Sequence, residues 1–300
     1  MGCLFIRLIM FSLIQRFRRG KVPAKIVGLV PARNEGAKIQ FALRALAQHT
    51  DAIVYLDDFS SDDTLTLVEK CREECRIERI LTKDQWLRDE PADRNRLLEA
   101  GREIGGTHFI VIDADEALSS NLLEGDLLKR RILALAPGDQ LALRWIHLWR
   151  SINSFRTDGD KGTNRFKHCI FCDDQRAVYS SDFIHTSRIP KVMGKKRRLN
   201  GPFGLLHFQF VDWDNLVLKQ KWYRWLERVY QPDKPIEDIR KRYSNSEDEA
   251  GLLTKPSPQD WFKTYPFLDP AVFHQPDNWR IQQIHEWETQ NGADYFSNLF

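Results

Sequence analysis

The stretch Phe109-Ile-Val-Ile-Asp-Ala-Asp-Glu-Ala117 decides the fold, because an apolar run of strand length stops abruptly at Asp113 and Asp115, with Glu116 behind them. A run without polar alternation suits a central strand covered on both faces. Open α/β sheets bind ligands just beyond the carboxyl ends of their strands. Residues i and i+2 of an extended chain point the same way, so Asp113 and Asp115 are placed to face one hard cation while Glu116 faces elsewhere. The structural alternative has Asp113 ending the strand and Asp115 capping a helix that starts near Ser119.

The residues before this stretch repeat the pattern. Lys25-Ile-Val-Gly-Leu-Val30 reads as a strand, Pro31-Ala-Arg-Asn-Glu-Gly36 as a loop and residues 37–49 as an amphipathic helix. Asp51-Ala-Ile-Val-Tyr-Leu56 is a second strand ending in Asp57-Asp58-Phe-Ser60-Ser-Asp62-Asp-Thr64, where Ser60, Asp62 and Thr64 offer cap oxygens to a helix running to about Cys75. A strand at 77–81 and a helix at about 92–104 complete the series. Strands alternating with helices at this spacing predict an α/β fold with a mostly parallel sheet flanked by helices. Acids end two of its strands, which weakens the capping explanation.

A chain of 300 residues, 42% hydrophobic and 29% charged, buries a sizeable core and is not disordered. Its formal net charge of +3 is too small to argue for nucleic acid. Five cysteines without a regular framework argue for a reducing compartment. Residues 1–24 begin with an apolar, Arg-bearing segment too short to cross a bilayer, which needs roughly 20 apolar residues. It reads either as an amphipathic helix on an anionic membrane surface or as a helix packed on the fold or on another subunit.

Four motifs in order, Pro31-x-x-Asn34-Glu35, Asp57-Asp58-x-Ser60-x-Asp62-x-Thr64, Arg94-Asn95 and Asp113-x-Asp115, resemble those of family 2 glycosyltransferases with the GT-A fold. The resemblance covers residues 25–117 and implies roles. Pro31 and Glu35 would line a nucleotide pocket, Asp57 or Asp58 would contact the base or ribose, and Arg94 would lie near the diphosphate. Asp113 would contact the ribose, and Asp115 would hold Mn²⁺ or Mg²⁺ on the diphosphate, in keeping with the preference of hard cations for oxygen ligands shared with substrate phosphates. The implied partners are a nucleotide-sugar donor, with a UDP-sugar favoured, and a glycan or lipid-linked acceptor. The implied place is the cytoplasm, with peripheral contact at the inner face of the plasma membrane as an option.

The second half is less regular. Residues 118–136 read as a helix, 140–149 as a strand, and 164–170 and 177–185 as short strands around Asp173-Asp174. Arg188-Ile-Pro-Lys-Val-Met-Gly-Lys-Lys-Arg-Arg198 carries six basic residues in eleven, either a solvated loop or one that neutralises a diphosphate, a lipid-linked acceptor or anionic headgroups. Leu206-His207-Phe-x-Phe210 followed by an aromatic-rich helix at 212–230 resembles bacterial lipopolysaccharide-core members of the same family, which makes His207 a further metal ligand. A histidine in an apolar strand is otherwise a hydrogen-bonded core residue. The general base is taken as Asp182, with His185 and the pair Asp173/Asp174 as alternatives. Gln220-Lys-Trp-Tyr-Arg224-Trp225 has one residue too many for the Gln-x-x-Arg-Trp of polysaccharide synthases.

The organisation expected is an N-terminal segment (1–24), a transferase domain (25–231, with a nucleotide-binding half to 117 and an acceptor half after it) and a C-terminal appendage (232–300). The reaction implied is an inverting, metal-dependent transfer of one sugar in cell-surface glycan synthesis. Competing readings are a catalytically silent assembly subunit at a membrane and a sugar-phosphate nucleotidyltransferase. The first loop is not the Gly-rich loop the latter expects, and no G-x-G-x-x-G follows a strand, which disfavours a dinucleotide-binding dehydrogenase.

Overall fold

In the first half of the chain, short buried strands alternate with helices that cover them. The computed structural model describes residues 23–158, 165–180 and 185–300, so Asp182 and the N-terminal segment up to residue 22 lie outside the described residues. β1 (Ile26–Ala32) and β2 (Ala52–Asp57) are buried almost throughout, as their unbroken apolar sequences require. β3 (Ile77–Leu81) and β4 (His108–Val111) complete a parallel set ordered β3-β2-β1-β4. Helices α1 (Gly36–Ala47), α2 (Thr64–Lys70) and α3 (Glu90–Glu103) connect them. Pro31 falls beyond the last β1–β4 register pair, Leu29 with Val111, so its missing N–H leaves no gap in that ladder.

Beyond β4 the sheet becomes mixed. β8 (Phe166–Cys172) runs antiparallel to β4 and to β6 (Gln140–His147). β9 (Lys196–Leu199) and β10 (Leu205–His207) lie end to end along the far edge of β6, and β5 (Glu116–Leu118) pairs antiparallel with β10. Nine strands thus form one sheet among the described residues, and the expected α/β class with a mostly parallel, helix-flanked sheet is observed.

Three expectations in the second half are corrected. The helix expected over 118–136 is instead β5, a 3₁₀ turn and the short α4 (Leu127–Leu133). Gly125 and Asp126 take φ of 54° and 56°, left-handed values that a helix cannot continue through. The described residues of 177–185 form no strand. They are held instead by Asn95, whose side chain donates to the Tyr179 carbonyl and accepts from the Tyr179 amide at 2.9 and 2.8 Å. The apolar run at 204–210 is a strand only to His207, after which Phe208–Phe210 turns as a 3₁₀ helix into α5 (Trp213–Tyr230), capped by Asp212.

Residues 232–300 are not peripheral to the packing. α6 (Ile236–Glu247) and α7 (Asn278–Asn291) pack on α5 through a buried aromatic cluster that includes Trp222, Trp225, Tyr243, Trp287 and Phe296. Trp261, Tyr265 and Phe273 join Phe41 of α1 and Leu206 of β10 in another cluster. Short strands β7 (Ser154–Arg156) and β11 (Thr254–Pro256) pair antiparallel.

Candidate functional site

The strand order reverses between β1 and β4, since the chain winds outward to β3 and then returns to β4 on the other side. Such a switch point leaves a crevice at the carboxyl ends of the strands. A cavity of about 750 Å³ opens there, lined by Pro31, Glu35, Asp58, Arg94, Asp113, Asp115 and His207 among others. Seven of the nine site residues expected from sequence therefore border one space. Asp57 does not: it is buried and accepts from the Tyr55 hydroxyl and the Ser60 amide, shaping the loop from beneath.

Local chemistry explains the first wall. Ser60, Asp62 and Thr64, read as helix caps, bind the neighbouring loop, and Asp62 Oδ1 also accepts from Thr64 N at the start of α2. Ser60 Oγ accepts from Asn34 N, Thr64 Oγ1 from Glu35 N and Asp62 Oδ2 from Gly36 N, at 3.0, 2.9 and 3.3 Å. Asn34 takes φ of 51°, which asparagine tolerates better than most residues, and its Oδ1 accepts from Ser61 N. A Cβ at Gly36 would lie 2.2 Å from Asp63 Oδ1, so a side chain there would push the Asp63 carboxylate aside where the two loops meet. Asp58 meets Lys83 Nζ at 2.6 Å; burial pushes its carboxyl up and Lys83 opposes that shift.

The acidic stretch sits in a turn between β4 and β5, with Glu116 N bonded to Asp113 O at 3.1 Å. The backbone bends here, yet Asp113 and Asp115 both line the cavity while Glu116 does not. Glu116 Oε2 accepts from Asp113 N, and Oε1 accepts from Trp145 Nε1 at 2.8 Å. Arg188 bridges the group, with Nη2 2.5 Å from Asp113 and Nη1 2.6 Å from Glu116. Burial would raise the Asp113 carboxyl, but Arg188 and Arg94 outweigh it and hold it below the usual carboxylate range. Asp115 is likewise raised by burial but held well below that range by Lys219, 2.8 Å from Oδ2, and by His207. Sheet register places His207 opposite both Glu116 and His147, and its ring stacks on Trp145 at 4.8 Å.

The divalent cation implied by the resemblance was tested against these residues. Among the described residues no three His, Cys, Asp or Glu side chains cluster as a self-sufficient site. Asp115 Oδ1, however, lies 3.7 Å from His207 Nε2. Two bonds of roughly 2.1 Å each can span that gap, and a hard cation commonly takes one or two protein ligands and fills its remaining positions with water and phosphate oxygens. Asp115 and His207 therefore fit, whereas Asp113 is occupied by its arginines.

Several lining residues had no assigned role from sequence. Lys219 projects from α5 onto Asp115, and Arg188 is the first residue of the basic run. Trp279 and Arg280 of α7 reach the cavity from the C-terminal region. There Arg280 lies 3.8 Å from Glu35, and the Arg33 guanidinium lies between the Trp86 and Trp279 rings, 4.5 and 5.5 Å from their centroids. The one available signal was the cluster of tryptophans after residue 260. Of the alternative bases, Asp173 is locked by Arg102 at 2.8 Å and Asp174 caps a turn. His185 is lowered to about 4 by burial and sits 3.1 Å from the Tyr243 hydroxyl, so it is a weak base at neutral pH.

The sequence matches no protein-family model and no curated protein sequence. Among solved structures it is similar to S. aureus TarS 1–349, at 12% identity over 92% of this chain and 83% of that one with a TM-score of 0.41. It is also similar to the mannosyltransferase PcManGT from Pyrobaculum calidifontis in complex with GDP-Man and Mn²⁺, at 12% identity over 95% and 83% with a TM-score of 0.42. Glucosyl-3-phosphoglycerate synthase from Mycobacterium tuberculosis with UDP and Mg²⁺ aligns at 20% identity over 45% of this chain and 47% of that one, with a TM-score of 0.29. The alignment spans only 21% of the full TarS chain and 35% of the UDP-bound one.

Proposed function

We propose that this chain is a GT-A glycosyltransferase that moves a single sugar from a nucleotide-sugar donor, UDP-sugar foremost, to an acceptor hydroxyl in cell-surface glycan synthesis. The observation that supports this best is the convergence of Pro31, Glu35, Asp58, Arg94, Asp113, Asp115 and His207 on one cavity at the β1/β4 switch point. In this reading Pro31, Glu35 and Asp58 seat the nucleoside. Arg94 faces the diphosphate: its Nε and Nη1 are buried without a protein partner, and its contact with Asp113 is 3.7 Å long. A buried guanidinium with open donors is costly, and a bound phosphate removes that cost.

Asp115 and His207 would hold Mn²⁺ or Mg²⁺, which supplies positive charge where the departing diphosphate gains negative charge. Lys219 and Arg188 keep Asp115 and Asp113 ionised and fixed in place, so the donor meets a preorganised field. Trp222, Trp279 and Tyr243 line the C-terminal side of the cavity. Inversion requires a base opposite the leaving group. Every carboxylate lining the cavity among the described residues is already tied, Glu35, Asp58, Glu90, Asp93, Asp113 and Asp115 to cations and Asp89 to the N-cap of α3. Asp182 therefore stays the proposed base, and peripheral contact with the inner face of the plasma membrane stays part of the proposal.

The test is hydrolysis or transfer from a panel of UDP- and GDP-sugars, with and without Mn²⁺. Release of nucleoside diphosphate that depends on the metal and is lost in Asp115→Asn supports the reading. A protein that releases none from any donor, and binds none, contradicts it.

A further inference from the structure

Ten arginines and lysines border the cavity, and most already have a protein partner. Arg88 pairs with Glu90, Arg156 with Asp158, Arg188 with Asp113 and Glu116, Lys219 with Asp115, Arg242 with Glu227 and Arg280 with Asp277, while Arg33 donates to two carbonyls. That leaves Arg94, 3.7 Å from Asp113 and assigned above to the donor, and two residues of the β8 region, Lys167 and Arg165. Among the described residues neither Lys167 nor Arg165 has a carboxylate within ion-pair distance.

The topology explains how they come to the site. β8 is antiparallel to its neighbours, so its amino-terminal end reaches the level at which β4 and β6 present their carboxyl ends. Lys167, within β8, and Arg165, just before it, both border the cavity. They stand on the far side of β4 from the loops of β1 and β2 that carry the nucleoside residues. Lys167 Nζ lies 4.7 Å from the Trp145 ring centroid, and burial and Arg188 lower its pKa against the opposing pull of Glu116 and Asp113. Arg165 is exposed at the rim. A half-buried ammonium compensated by an indole face and by carboxylates too distant to pair with it gains when an anion arrives.

We infer that Lys167 and Arg165 form an anion subsite for the acceptor, which therefore carries a phosphate group near the hydroxyl that receives the sugar. This rests on the transferase reading and names its acceptor class. The subsite selects the acceptor by charge, with the Trp145 and His147 side chains bordering the same space.

The experiment is calorimetric titration of inorganic phosphate into full-length protein saturated with UDP and Mg²⁺, with acetate titrated in parallel, for the native chain, Lys167→Gln and Arg165→Gln. UDP binding is measured first, and its failure overturns the transferase reading before any phosphate is added. The expected result is a phosphate site on the UDP-bound protein, stronger than that for acetate, weakened about tenfold in Lys167→Gln and severalfold in Arg165→Gln, with UDP affinity changed less than twofold. Arg165→Gln alters an exposed side chain and keeps the test valid if Lys167→Gln unfolds. Absence of phosphate binding, equal binding in both variants, acetate binding as tightly as phosphate, or displacement of UDP by phosphate would each overturn the proposal; the last would give Lys167 to the donor diphosphate.

Discussion

The two walls of the cavity are built by different rules. On the nucleotide side, residues 25–117, the loops are fixed by side chains close in sequence: Ser60, Asp62 and Thr64 hold Asn34, Glu35 and Gly36 across 26 to 29 residues. On the acceptor side the acidic turn is held from far along the chain, Glu116 by Arg188 across 72 residues and Asp115 by Lys219 across 104. Local networks leave a spacing pattern in the sequence, whereas distant pairs leave none. The acidic turn at 113–116 belongs to both systems, so variants there and on either wall show which wall controls what.

The largest expected effect is on folding. Arg188→Ala leaves the fully buried Glu116 carboxylate without its cation, and breaking a buried pair costs about 3–5 kcal/mol. Chemical denaturation of the variant is expected to show that loss or no cooperative transition at all; an unchanged midpoint would show that the distant wall is dispensable. Next comes catalysis. Asp115→Asn is expected to lower kcat by on the order of 10²–10³, the range for removing a group that stabilises developing charge, while the protein keeps its native circular dichroism spectrum. A third variant sharpens the contrast at the C-terminal wall. Trp279→Ala opens one side of the Arg33 sandwich, and donor affinity is expected to fall about tenfold, which is roughly 1.4 kcal/mol, by titration. No change would confine donor binding to the first wall.

The smallest effect concerns the seam between the regions. His49 at the end of α1 is buried against Tyr265, and burial lowers its pKa to about 3. The unfolded chain binds that proton near pH 6.5, so the unfolded state holds more protons between roughly pH 6.5 and 3. His49 therefore takes stability away as pH falls through that window and has no effect above it. A pH series of melting temperatures should decline below about pH 6.5, and His49→Gln should flatten that part of the decline.

Legibility followed the same division. Four strand-and-loop motifs were readable because unbroken apolar runs force buried strands and because acids at their ends recur. The helix expected at 118–136 failed because Gly125 and Asp126 adopt left-handed angles, which a leucine-rich composition masks. The strand ends at Val111 and the acids lie in a turn, so Asp113 and Asp115 reach the same cavity from a bend rather than from one extended face. Arg188, Lys219, Lys167 and Arg280 could not be ranked above other basic residues, since what distinguishes them is burial against partners far away in the chain. His207 was legible only as a polar residue in an apolar run; the register of β10 against β5 and β6 then brought it to Asp115.

The central claim is that Asp115 and His207 hold a divalent cation that in turn holds a nucleotide's diphosphate. The most direct measurement is anomalous scattering from a crystal grown with UDP and Mn²⁺. The account predicts one manganese peak within about 2.3 Å of Asp115 Oδ1 and His207 Nε2, with the UDP phosphates beside Arg94. Manganese bound elsewhere, or UDP seated in this cavity with Lys219 still on Asp115 and no metal peak, would contradict it.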